Sequence, residues 1–117
     1  MGNLRHKTYV KDRELKEYEK FIKNLKLVEN KEIKVKVNQK FGAEFSANYT
    51  VPPEFQEHMP SFEKADEGIK FIESKSFYPY PDDWTGGDTH CIYVFKATKK
   101  GNFKIEFSSH EIKVIAI

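Results

Sequence analysis

The hydrophobic period of this chain changes once, near residue 30, and does not change back. Residues 12–26, DRELKEYEKFIKNLK, place Leu15, Tyr18, Phe21, Ile22 and Leu25 at helical spacing, with Lys and Glu between them and Asp12 as a cap. From Glu32 onward, EIKVKV sets Ile33, Val35 and Val37 against Lys34 and Lys36, the period-two pattern of a strand with one wet face. One helix followed by strands alone gives no support to a βαβ arrangement and points to sheet packed on sheet.

Turn formers divide the rest. Asn30 and Lys31 read as a turn, and EIKVKV, residues 32–37, as a half-buried strand in an antiparallel sheet. NQKFG, residues 38–42, is a second turn region, after which AEFSANYTV alternates around Phe45 until Pro52-Pro53 stops it. Residues 54–68 show no clean period and read as a long connection. IKFIESKSF, residues 69–77, returns to strand character. YPYPDDWTGG is then a loop, with prolines for extended backbone, Asp for turns and glycines for positive dihedrals. HCIYVFKAT, residues 90–98, is the strongest strand. The turn Lys100-Gly101, a strand with Phe103, Ile105 and Phe107 on one face, and EIKVIAI complete the chain. The prediction is all-β: a β-sandwich with an added N-terminal helix packed over one end or edge, divided as an extension over 1–26 and a sandwich domain over 27–117.

Composition narrows the function classes. The 117 residues fit one domain, and an aromatic share of 15% argues for a packed core. A net charge of +2, with Lys interleaved with Glu, lacks the basic footprint of a nucleic-acid binder. Cys91 is the only cysteine, which rules out an intramolecular disulfide and any cysteine framework for zinc, and its place in HCIYVFKA reads as a buried small hydrophobe. His90 is its neighbour, but adjacent strand residues point to opposite faces, so the two make no catalytic dyad.

His6, His58, His90 and His110 are scattered without metal-ligand spacing. Asp82, Asp83 and Asp88 are interrupted by Trp84 and do not follow the EF-hand pattern. Gly86-Gly87 leads into a strand and not a helix, so it is no phosphate loop. No cofactor, no metal and no enzymatic activity are expected. No apolar run reaches the length of a membrane span, and MGNLRHK lacks a signal peptide's apolar core. The expected location is cytoplasmic, or lysosomal or secreted if a leader has been removed. Asn48-Tyr49-Thr50 is a glycosylation sequon, relevant only to a secreted chain.

The aromatic loop is the remaining signal. Trp84, with Tyr78 and Tyr80 on a proline-stiffened stretch, is suited to present a rigid apolar contact surface, or to fold back over the end of the sandwich. Trp84-Thr85-Gly86-Gly87, running into Thr89 through Ala97, resembles the Gly-x-Gly-Gly loop and following strand of the chagasin family of cysteine peptidase inhibitors. Asn38-Gln39-Lys40-Phe41-Gly42-Ala43 is similar to the first loop of that family, keeping Asn38 and Gly42 but reading Gln-Lys-Phe for Pro-Thr-Thr, with Phe45 in the family's tryptophan position. The third family loop, Arg-Pro-Trp, is missing; Ser108-Ser109-His110 stands in its place.

The resemblance spans Leu27 to Ile117. It implies an immunoglobulin-like sandwich, a monomer when free, that reversibly occludes the cleft of a papain-like cysteine protease with loops from one end. The residues it assigns to that contact are Asn38, Lys40, Phe41, Gly42, Phe45, Tyr80, Trp84, Thr85, Gly86 and Gly87. The alternative is a non-inhibitory immunoglobulin-like domain that binds another protein through the aromatic loop or the helix.

Overall fold

A computed structural model describes residues 15–47, 59–77 and 89–117. After a helix at residues 15–23 come eight strands: β1 (Lys26–Leu27), β2 (Glu32–Val35), β3 (Lys40–Ala47), β4 (Phe62–Ala65), β5 (Ile69–Phe77), β6 (Thr89–Ala97), β7 (Gly101–Phe107) and β8 (Glu111–Ala116). They form two four-stranded mixed sheets, ordered β1-β3-β6-β5 and β2-β8-β7-β4. The core is thus all-β and preceded by one helix.

The inner faces of the sheets meet in a core that includes Val35, Phe41, Phe95, Ile105 and Val114, each at most 1% exposed. Aromatic rings join the layers. Phe95 of the first sheet lies 5.3 Å from Phe62 and 6.2 Å from Phe107 of the second, both edge to face.

β6 explains why the helix sits where it does. Tyr93, Phe95 and Ala97 face the second sheet, while Ile92 and Val94 face the other way and are also buried. A strand with two apolar faces needs a cover on both. Of the stripe read from the sequence, Tyr18, Phe21, Ile22 and Leu25 supply the second cover by packing, with Ile72, against Phe77, Ile92 and Val94, while Leu15 stays exposed. The helix therefore lies on the outer face of the first sheet and not over an end or edge. Gly42 lets this segment approach closely: a Cβ there would meet Leu27 at 3.1 Å and Ile92 at 3.2 Å.

Three other expectations are corrected. β2 pairs in parallel with β8, not antiparallel, because Asn30 and Lys31, both left-handed (φ 53° and 62°), carry the chain from the edge of one sheet to the edge of the other. Phe41 and Gly42 are strand residues. The turn before β3 is complete by Gln39, whose N–H donates to Lys36 O at 3.0 Å. The stretch without a clean period contains β4, whose pairing with β7 is shifted between Phe62 and Lys64, and such an irregularity erases alternation.

Strand directions fix two ends. In β3 and β6 the register runs from Lys40↔Lys96 to Ala47↔Thr89. The Lys40 end, here the lower one, carries turn 36–39, the turn before β5 and the 98–100 bend: Asn38 N–H donates to Ala97 O at 2.8 Å, and Thr98 N–H to Gly68 O at 2.7 Å. The upper end holds the start of β6, the end of β5 and the Ser108-Ser109 turn.

Candidate functional site

The register sets Asn38 and Thr89 at opposite ends of the first sheet. Thr89, to which Trp84-Thr85-Gly86-Gly87 leads, lies at the upper end, and Asn38 lies at the lower end. The intervening β3 residues, at about 3.3 Å each, set the two ends roughly 23 Å apart. Tyr80, Trp84, Thr85, Gly86 and Gly87 themselves lie outside the described residues, as do Asn48, His6, His58 and the three Asp of the loop.

The remaining assigned residues divide by what surrounds them. Asn38 holds a left-handed turn (φ 69°), the conformation that Asn tolerates better than most side chains. Lys40 is exposed, at the start of β3 and opposite Lys96. Phe41 is fully buried, its ring 5.9 Å from that of Phe95, so no part of it is presented to a partner. Gly42 is buried beneath Leu25 and Leu27. Phe45 alone approaches the upper end, where its ring stands 4.8 Å from Phe107 and stacks at 5.6 Å on His110, with 8° between the planes.

Residues outside the assigned contact set organise this upper end. Phe107 N–H donates to His110 O at 2.8 Å, closing a two-residue hairpin turn on Ser108 and Ser109. Ser61 clamps the turn twice: its carbonyl accepts from Ser108 N–H at 2.9 Å, and its own N–H donates to Ser108 Oγ at 3.1 Å. Serine in a turn is an ordinary signal, but a partner 47 residues away cannot be read from spacing. The Tyr93 hydroxyl donates to Pro60 O at 3.3 Å and holds the same approach segment. The turn is therefore displayed on a rigid mount.

Across the first sheet, under the helix, Tyr18 donates its hydroxyl to the Glu44 carboxylate and rests its ring 5.3 Å from His90. His90 and Cys91 do point to opposite faces. His90 turns toward the helix, while Cys91, 8% exposed and a free thiol, is paired in register with inward-facing Phe45. Nδ1 of His90 and Nδ1 of His110 are both buried without a hydrogen-bond partner. Among the described residues no group of three or more His, Cys, Asp or Glu is placed to hold a metal, and no described helix is long and apolar enough to cross a membrane.

Comparison with protein-family models finds no match, and comparisons with curated proteins and with solved structures find none either.

Proposed function

We propose that this chain is an immunoglobulin-like sandwich that binds a papain-like cysteine protease from its upper end, occluding the cleft without offering a scissile bond. One observation carries the reading. Thr89, which follows Trp84–Gly87 in the sequence, starts β6 at the same end as the clamped Ser108-Ser109 turn, whereas Asn38 stands at the other end. The contact set is accordingly Tyr80, Trp84, Thr85, Gly86 and Gly87 with Ser108 and Ser109; Asn38, Lys40, Phe41 and Gly42 drop out, as does Phe45, which packs against the core. Trp84 is the apolar anchor, and the two glycines permit close backbone approach in a narrow cleft.

The test is a titration of a panel of papain-like proteases with the purified chain, following cleavage of a small peptide substrate. Reversible, competitive inhibition is expected, weakened by Trp84→Ala about thirtyfold or more, the loss typical of a buried aromatic anchor. No inhibition at micromolar concentration across the panel, by a chain that remains folded, ends the inhibitor reading. The roughly 23 Å between Asn38 and Thr89 favours a second reading in that event: a non-inhibitory domain of the same architecture, holding a different protein partner through the aromatic loop.

A further inference from the structure

Three lysines share one line across the outer face of the first sheet. Lys96 of β6 stands directly opposite Lys40 of β3 on one side and Lys70 of β5 on the other. Their chain neighbours Phe41, Phe95, Ala97 and Ile69 pack in or against the core between the sheets, so alternation turns all three lysines outward. The helix covers the rows above, where Ile92 and Val94 lie, and leaves this one open: Lys40 and Lys70 are exposed, and Lys96 between them is half-buried. Adjacent strands stand about 4.8 Å apart, so the row spans roughly 10 Å.

Like charges placed directly opposite on neighbouring strands repel and weaken a sheet, and this row repeats the cost twice. Among the described residues no carboxylate pairs with Lys40, Lys70 or Lys96. The acidic side chains nearby are placed otherwise. Glu44 is engaged by Tyr18 beneath the helix, Asp66 accepts Lys104 N–H at 2.9 Å, and Glu73 stands exposed one row up, opposite Val94. Lys36, Lys99 and Lys100, exposed in the lower-end turns, outnumber Asp66 and Glu67 there and extend the positive field.

We propose that this row binds a linear polyphosphate of three or more phosphate groups. The phosphate oxygens receive charge-assisted hydrogen bonds from the Lys40, Lys96 and Lys70 ammonium groups, and the bound anion relieves their mutual repulsion. Spacing favours this occupant over an extended acidic peptide, whose same-face carboxylates recur about every 6.8 Å and fall out of step with lysines set about 4.8 Å apart. No aromatic side chain belongs to the row, so nothing in it stacks a nucleobase. The inference does not rest on the protease reading, because the row lies toward the end opposite Thr89 and the Ser108-Ser109 turn.

Nuclear magnetic resonance of the full chain titrated with sodium tripolyphosphate tests it, with orthophosphate at equal ionic strength and a glutamate homopeptide in parallel. Tripolyphosphate is expected to shift the Lys40, Lys70 and Lys96 amides saturably, and raising the salt from about 50 to 200 mM should weaken it tenfold or more. Lys96→Gln removes the middle charge and should weaken binding about tenfold, whereas Lys64→Gln, on the other sheet, should leave it unchanged. Orthophosphate shifting the same amides equally would reduce the effect to screening and overturn the proposal. A glutamate peptide binding as tightly as tripolyphosphate overturns it in favour of an acidic protein partner. Unchanged affinity in a folded Lys96→Gln protein overturns it too, and if that variant fails to fold, the comparison of the three ligands on the unsubstituted chain decides.

Discussion

The two ends of the sheets differ in the residues that turn the chain. At the lower end the chain reverses through residues with positive φ, namely Asn38 (69°), Gly68 (106°) and Gly101 (141°), and is tied by main-chain hydrogen bonds such as Asn38 to Ala97 and Thr98 to Gly68. Side chains of Gln39, Asp66 and Thr98 add hydrogen bonds to main-chain groups of the same turns. At the upper end the main chain of Ser61 clamps the Ser108 turn from 47 residues away, a histidine is stacked on a phenylalanine, and that histidine has a buried nitrogen without a partner among the described residues. A turn of exposed serines held by its main chain can change its side-chain chemistry without unmaking the fold, and recognition is best sited there. The lower end, by contrast, is where substitutions in the turns should cost stability and leave protease binding alone.

Gly68 offers the largest test of that division. A Cβ at this position would lie 2.6 Å from Cε1 of Phe103, a core ring only 8% exposed, and φ of 106° is a conformation that side chains rarely adopt. Gly68→Ala combines strain with overpacking and should cost about 3 kcal/mol in urea unfolding. Asp66, two residues earlier, ties the same turn to β7, donating its N–H to Lys104 O at 3.0 Å and accepting Lys104 N–H on Oδ2 at 2.9 Å, so the backbone has little room to relax. An unfolding midpoint equal to that of the unsubstituted chain would mean the lower end is not rigidly set by its backbone, and the contrast between the ends would fail.

Asn38→Ala sharpens the comparison at smaller amplitude. Loss of a residue suited to φ 69° should destabilise by about 1 kcal/mol, with Asn38→Gly closer to neutral. Neither substitution should alter protease inhibition measured on folded protein, since Asn38 stands at the far end from Thr89. A selective loss of inhibition in Asn38→Ala, at unchanged fold, would restore the lower turn to the contact surface and contradict the division of labour.

What the sequence made legible follows the same line between local and distant causes. The helical stripe Leu15, Tyr18, Phe21, Ile22 and Leu25 was readable because its spacing is local, and the structure half-buries all of it but Leu15. Cys91 was readable as a core residue from its apolar neighbours. That the helix covers a sheet face was foreshadowed by β6, where Ile92 and Val94 are as apolar as Tyr93 and Phe95, a continuous run that only two covered faces explain. The parallel pairing of β2 was not readable. Its partner β8 is the last strand in the chain, and alternation reports which face is wet without reporting the neighbour or its direction. The same gap misplaced Phe41: an aromatic beside a glycine has the look of a loop tip, and only the register shows that it is an interior strand position. Which end a loop occupies depends on every strand direction between, so the family-like loops could not be assigned to one cleft from their motifs.

The finest test of the comparison is Ser108→Ala at the upper end. The substitution deletes the Oγ that accepts Ser61 N–H at 3.1 Å and leaves the main-chain bond from Ser108 N–H to Ser61 O at 2.9 Å intact. Both serines are exposed, so water replaces the lost acceptor, and global stability should fall by only about 0.5 kcal/mol. The informative readout is local: amide hydrogen exchange at Ser61 should quicken severalfold, while exchange at Thr98, whose amide is bonded to Gly68 O at the other end, should stay as it was. Equal acceleration at both amides would show that the turn is coupled to the whole fold, leaving no separate mount to display it. Acceleration at Ser61 alone, together with weakened inhibition, would tie the rigidity of this turn to recognition, since a turn that must be ordered on binding loses affinity in proportion to the freedom it gives up.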